Sequence, residues 1–266
     1  MAGRPEASLP LQGRKAFVTG GGRGIGRAIA IELARQGCDV AISFSTRSAE
    51  AEETARQLRD CGVRSSVQRL RLECLDDHEP AVQAVLRELG GLDIFVSNAG
   101  QDFRGAPVAE TSYEELLHLM TVNALAPHAL CRLLLPSLRA GAQSLGRADI
   151  VLLSSIATAL QGPDYAPYVM SKMALEGLAS TLALEERAHG LHVNVVAPGL
   201  TDTDMGARFL GSEVPGEIRN RIIAGQAYGH VCRPEEVAGV VAFFVGPAAS
   251  YVNGQRIYVD GGGPQL

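Results

Sequence analysis

Lys15 to Gln36 reads KAFVTGGGRGIGRAIAIELARQ, and this stretch decides the fold. Lys15 to Thr19 is a short run rich in β-formers. It opens into TGGGRGIG, Thr19 to Gly26, and then into the amphipathic stretch Arg27 to Gln36. The order is strand, glycine turn, helix. Glycine is needed where backbone must take positive φ or come within contact distance of a ligand, and the free amides at a helix start suit a diphosphate. A glycine motif alone is weak, but its place between a strand and a helix supplies the context it needs.

Outward from this unit the alternation continues. Asp39 to Phe44 is a second strand, Ser48 to Cys61 a polar helix, Arg64 to Leu72 a third strand and Asp77 to Leu89 a third helix. Leu92 to Val96 is a fourth strand that runs into Ser97-Asn98-Ala99-Gly100, small residues suited to a cofactor lying close to backbone. Repeated crossovers of this kind imply a parallel, doubly wound sheet with helices on both faces. Ser112 to Leu138 reads as a long helix bent near Pro127, with Asn123 in an apolar setting where it must be hydrogen-bonded. That bond could serve no more than a local bend. Ala140 to Arg147 reads as a surface loop before the fifth strand, Leu191 to Val196 as the sixth strand, Pro234 to Val245 as the last helix and Gln255 to Asp260 as the last strand.

The end of the second strand is where a dinucleotide site distinguishes its ribose. An acidic residue there accepts from a 2′-hydroxyl and repels a 2′-phosphate. This chain has Phe44, Ser45, Thr46 and Arg47 instead, and Arg23 in the glycine turn adds a second guanidinium. Unless both arginines are only solvated surface charges, they favour a phosphate, which guanidinium pairs with bidentately.

Composition bounds the function. A chain of 266 residues, 46% hydrophobic and 20% charged, suits one sizeable domain, residues 13–266, behind a tail at 1–12. A net charge of -5 gives no reason to expect nucleic acid or an anionic membrane as partner. The start MAGRPEASLPLQG has no apolar core, and no apolar run approaches a spanning length, so a cytoplasmic protein is expected. Five scattered cysteines and six histidines lack metal-site spacing; no metal is expected.

Ile150 to Glu176, IVLLSSIATALQGPDYAPYVMSKMALE, holds the chemistry. A strand ends in Ser154-Ser155, and Tyr168 and Lys172 follow at a spacing that stacks them on one helix face. Taken alone the pair could be an ordinary surface contact. A lysine beside a phenol favours the phenolate, so the tyrosine pKa is expected to fall from about 10 toward neutrality.

Together, TGGGRGIG, SNAG at Ser97 to Gly100, Asn123, Ser155, Tyr168-x-x-x-Lys172 and Pro198-Gly199 resemble the classical short-chain dehydrogenase/reductase family over essentially the whole chain. The twelve residues between Ser155 and Tyr168 match the family's usual separation, which favours Ser155 over Ser154 and Tyr168 over Tyr165. The resemblance implies a Rossmann-like sheet of about seven strands and a catalytic tetrad of Asn123, Ser155, Tyr168 and Lys172. By that resemblance Tyr168 exchanges the proton, Ser155 holds the carbonyl oxygen, Lys172 holds the nicotinamide ribose and lowers the tyrosine pKa, and Asn123 keeps a relay water.

The cofactor residues it implies are Gly20, Gly22, Arg23, Gly24, Ile25 and Gly26 in the glycine turn, Ser45, Thr46 and Arg47 after the second strand, and Glu73 and Cys74 by the adenine. Asn98, Ala99, Gly100, Tyr168, Lys172, Pro198, Gly199, Thr201 and Thr203 complete the set. The expected activity is NADP(H)-dependent reduction of a small-molecule ketone, or oxidation of the secondary alcohol, in a homotetramer or homodimer. Glu73 replaces the family's commoner Asp. Leu184, followed by Glu185 and Glu186, stands where acyl-carrier-dependent ketoacyl reductases often carry a basic residue, which weighs against a carrier-bound substrate. That ketoacyl reductase and a silent dinucleotide-binding sensor remain the alternatives. A glycine-containing lid is expected over residues 202–225, and Arg104, Gln161, Asp164, Tyr165 and Met205 are the candidates for touching substrate, although each charged one could equally face water.

Overall fold

The computed structural model describes residues 9–209, 225 and 227–262. Seven strands form one sheet: β1 (Lys15–Val18), β2 (Asp39–Phe44), β3 (Ser65–Arg69), β4 (Ile94–Ser97), β5 (Ala148–Leu153), β6 (Leu191–Pro198) and β7 (Arg256–Val259). Their order is β3-β2-β1-β4-β5-β6-β7, and every pairing is parallel. All residues of β4 and β5 are buried, as strands covered on both faces must be.

Two hydrophobic layers cover the sheet, and side chains alternate between them along each strand. Phe17, Phe95, Ile150 and Leu152 face the layer of α3 (Leu75–Leu89), α5 (Ala126–Leu145) and α7 (Ala166–Glu186), with Val82, Leu130, Leu134 and Leu175 opposite. Val18, Ile94, Val96, Val151 and Leu153 face α1 (Gly24–Arg35), α2 (Ser48–Asp60) and α9 (Pro234–Val245), with Ile29, Leu33, Leu58 and Phe244 opposite. From β1 the chain winds one way through β2 and β3, then crosses to β4 and winds the other way. Ligands of such sheets bind beyond the carboxyl ends of the strands at that reversal.

Three expectations are corrected. Leu11, placed in the tail, is fully buried against the α1 layer, and its amide donates to the Gln36 carbonyl at 2.9 Å. The loop expected at Ala140 to Arg147 is mostly helix, because α5 runs to Leu145 and ends on Gly146 in the left-handed conformation. The irregularity expected near Pro127 lies earlier, in a π-helical turn at Thr121–Leu125 between α4 (Tyr113–Met120) and α5. Pro127 sits in the first turn of α5, where its missing N–H costs little. Tyr113 to Leu145 is thus one rod of 33 residues, long and apolar enough by length and composition to cross a bilayer, although the residues alone showed no such run. Half of its most apolar window is buried in the protein, as in a core helix.

Candidate active site

The glycine turn and the SNAG loop are stitched together at the reversal point. Thr19 is buried, and its hydroxyl accepts from the amides of Asn98 and Ala99, both at 3.0 Å. The Asn98 amide group donates to the Thr19 carbonyl at 2.9 Å. Gly20 takes φ +66° so that the chain can leave β1, and a Cβ on Gly26 would lie 2.3 Å from the Gly20 carbonyl oxygen and 2.5 Å from Asn98 Nδ2. The glycines therefore let α1 start against the strand end, which leaves its first amides facing a cleft.

That cleft has a volume of about 1420 Å³, and its lining includes Arg47, the glycine turn, Tyr165 and Met205. It exceeds the roughly 300–1,000 Å³ of a single drug-sized ligand. In the cleft, Arg23 reaches Asp204 Oδ2 at 2.5 Å and Arg47 lies 3.8 Å from the same oxygen. Arg47 also pairs with Glu50 at 2.7 Å. Two guanidinium groups thus converge on one point, occupied by the first carboxylate of the short helix α8 (Asp204–Phe209). The residues present fit a dinucleotide: a glycine-rich turn at a helix start, with two guanidinium groups close together beside it.

The chemical end is built by β5 and α7. Ser155 follows β5, Tyr168 lies in the first turn of α7, and Lys172 is one turn further along. Lys172 is buried, and its ammonium donates to the Leu153 carbonyl at 2.9 Å while lying 5.9 Å from the Tyr168 ring centre. Burial pushes the Lys172 ammonium down to about 8, and the nearby Glu176 carboxylate opposes that shift. The tyrosine departs from expectation. Burial pushes the Tyr168 phenol above its ordinary range, a hydrogen bond with Ser155 draws it back in part, and Asp102 raises it further. Desolvation is the largest of these influences. Burial thus favours the neutral phenol over the phenolate.

The buried Asn123, in the π-helical turn, does not line the cleft. Its Oδ1 accepts from the Gln101 amide at 2.9 Å, and its Nδ2 donates to the Gln101 carbonyl at 2.9 Å and to Ser171 Oγ at 3.0 Å. It ties the loop after β4 to α7.

The cleft brings together Gly20, Gly22, Arg23, Gly24, Ile25 and Gly26, then Ser45, Thr46, Arg47 and Glu73, then Asn98, Ala99 and Gly100. Ser155, Tyr168 and Lys172 line it, as do Pro198, Gly199, Thr201 and Thr203. Cys74 does not, because it flanks the start of α3 with its sulfur 3.6 Å from the Arg71 guanidinium. Of the substrate candidates, Tyr165 and Met205 line the cleft, whereas Arg104, Gln161 and Asp164 are exposed outside it. Gln161 caps the short helix α6 (Ala157–Leu160) at φ 45°, with its side chain donating to the Thr158 carbonyl at 3.2 Å. Asp164, at φ 67°, offers its carbonyl to Ala106 at 2.9 Å. Both serve backbone geometry. Of the lid expected at 202–225, residues 210–224 lie outside the described residues.

Asp102, Phe103 and Asp204 also line the cleft, the first two in the loop after β4 and the third within the stretch expected as a lid. Asp102 pairs with Arg208 of α8 at 3.4 Å, across more than a hundred residues of chain, so no local pattern signals it.

The family description "Enoyl-(Acyl carrier protein) reductase" matches residues 20–263. The hydroxynaphthalene reductase arp2 of Aspergillus fumigatus is 35% identical, covering 93% of this chain and 91% of its own. An NADPH-dependent aldehyde reductase-like chloroplastic protein of Arabidopsis thaliana is 33% identical, covering 96% and 95%. The crystal structure of a short-chain dehydrogenase from Burkholderia cenocepacia in complex with NADP superposes with a TM-score of 0.83, at 32% identity, covering 95% of this chain and 98% of that one. With the seven-stranded parallel sheet and the serine, tyrosine and lysine on one cleft, these likenesses place the chain in the short-chain dehydrogenase/reductase family, a family of oxidoreductases that bind a nicotinamide dinucleotide.

Proposed function

We propose that the protein is an NADPH-dependent reductase of a small-molecule ketone. The observation that carries this reading is the single cleft lined both by the converging Arg23 and Arg47 and by Ser155, Tyr168 and Lys172. The paired guanidinium groups suit a 2′-phosphate, and the relatives described by NADP or NADPH support the same choice. The dinucleotide supplies the hydride that the carbonyl carbon receives. Tyr168 donates its phenolic proton to the carbonyl oxygen, and its raised pKa keeps that proton in place until the oxygen becomes basic. The Ser155 hydroxyl donates a hydrogen bond to the same oxygen as negative charge develops there. Lys172 holds the nicotinamide ribose. Asn123 enters as an anchor for Gln101 and the loop after β4, since its amide group is already shared between Gln101 and Ser171.

Phe103, Leu160, Tyr165 and Met205 give the substrate end an apolar wall, and the fungal relatives named hydroxynaphthalene reductases support hydroxylated aromatic compounds among the candidates. A carrier-bound substrate is less well supported, since Leu184 is exposed where a basic contact would be needed. Exposed Leu117, Leu125, Met170 and Met173, on or beside the packed helices α4 and α7, support pairing of copies in a dimer or tetramer. Nicotinamide fluorescence titrated with NADPH and NADH, followed by a ketone panel read by NADPH loss, tests the reading. Tight NADPH binding with turnover of a ketone is expected; a preference for NADH would overturn the assignment of Arg23 and Arg47.

A further inference from the structure

Glu176 lies one turn beyond Lys172 on α7 and takes part in none of the steps above. Its side chain is 13% exposed, so its charge sits largely out of water. Oε1 accepts from Ser154 Oγ at 2.6 Å and from Thr158 Oγ1 at 2.8 Å. Thr158 Oγ1 also lies 3.0 Å from the carbonyl oxygen of Ser155. The residue before Ser155 and the residue three after it are thereby tied to one carboxylate. Oε2 pairs with Arg256 on β7. Helix α7, the turn that presents Ser155 and the last strand therefore meet at Glu176.

We propose that Glu176 is a positioning residue for the reductase reaction: its carboxylate fixes the Ser154 to Thr158 turn that aims the Ser155 hydroxyl, and its charge, moderated by Arg256, keeps Lys172 protonated. This rests on the reductase reading of the site. The other ionisable groups near the lysine are few among the described residues. Tyr168 shares its helix, and Asp102 acts on Tyr168 from the loop after β4. The strand β5 offers Lys172 only the neutral Leu153 carbonyl, and the π-helical turn brings the neutral Asn123. Glu176 is the carboxylate that acts on Lys172. Lysine must be charged to work as proposed, so activity and NADPH binding are lost as pH rises through its pKa. A neighbouring anion moves that limb up, and a neighbouring cation moves it down.

The test uses the full chain with Glu176→Gln, Glu176→Asp and Arg256→Gln. The dissociation constant of NADPH is followed against pH by nicotinamide fluorescence, and kcat/KM against pH on a ketone that is turned over. Glu176→Gln keeps an oxygen acceptor for Ser154 and Thr158 but removes the charge. Its alkaline limb is expected lower by roughly half a pH unit or more. Arg256→Gln leaves the carboxylate unopposed, and its limb is expected higher. Glu176→Asp keeps the charge but withdraws it from the two hydroxyls, so its limb stays near that of the parent while kcat falls several-fold. A structural role alone would move stability in these variants without moving the limbs in opposite directions. For Glu176→Gln and Arg256→Gln, limbs that coincide with the parent's, or that move together, overturn the proposal. If Glu176→Gln fails to fold by circular dichroism, Arg256→Gln decides: no upward movement of its limb overturns the proposal. A panel without turnover would defeat the reductase reading, yet the NADPH-binding limb would still report on Glu176.

Discussion

The two ends of the sheet are both polar, but they are closed in different ways. At the amino end, Arg14 pairs with Asp93 and, at 2.9 Å, with Asp149, while Arg147 pairs with Asp149 at 2.7 Å. Asp93 also accepts from the Lys15 amide at 3.0 Å, and Arg147 donates to the Phe244 and Gly246 carbonyls. Asp93 and Asp149 are buried, and each has its cation supplied by the chain. At the carboxyl end the Thr19 and Asn98 stitch is closed, and Arg23, Arg47 and Glu176 also find partners in the chain, yet Arg23 and Arg47 line the cleft as well. The helix-start amides, the Tyr168 phenol and the arginines face the cleft. Charges that the protein completes itself hold strands together; groups left facing a cleft are available to a ligand.

Tyr168→Phe puts the open end to its hardest test. It is expected to lower turnover by about 10²–10⁴-fold, the usual contribution of a general acid, with NADPH affinity almost unchanged. Steady-state rates and fluorescence titration check both halves, and a variant that kept the parent rate would move the proton donor elsewhere. Asp149→Ala puts the closed end to a comparable test. It leaves Arg14 and Arg147 each short of a buried partner, and the expected loss is about 3–5 kcal/mol in urea unfolding. NADPH affinity of the folded protein should stay at the parent value; a large loss of affinity would mean that the two ends are coupled.

Smaller effects sharpen the comparison at the phosphate end of the cleft. Arg23→Ser combined with Arg47→Ser should weaken NADPH by roughly tenfold or more while leaving NADH little changed, with an effect that shrinks as salt is added. Equal loss for both dinucleotides would remove the arginines from the 2′-phosphate. Asp204→Asn should do the reverse. Its carboxylate competes with an incoming phosphate for the same two guanidinium groups, so NADPH should tighten by no more than about fivefold. An unchanged NADPH constant would make Asp204 a bystander.

Much of this architecture was legible along the chain. The strand, glycine turn and helix at Lys15 to Gln36, the crossover alternation and the placement of Tyr168 and Lys172 on one helix all agree with the structure. Element ends were less legible. β3 stops at Arg69 rather than Leu72, and α5 continues to Leu145 through a segment rich in Ala and Gly. Gly141 is tolerated there because a Cβ would lie 2.7 Å from the Leu92 carbonyl oxygen, a crowding that no local propensity expresses. Within the site, Cys74, Arg104, Gln161 and Asp164 adjoin lining residues along the chain but lie outside the cleft.

The sequence alone determined the elements and the chemistry that repeats at short range: the glycine turn, the four-residue spacing of Tyr168 and Lys172, and the missing acid after β2. These are encoded within one or two turns of chain, where steric and helical rules act directly. The tertiary structure decided what those groups face. It brought Asp204 onto Arg23 and Arg47, Asp102 toward Tyr168, and Glu176 onto Ser154, Thr158 and Arg256. It also reversed the expected direction of the tyrosine pKa. Burial and partners distant in sequence set those energies, and neither exists until the chain has packed.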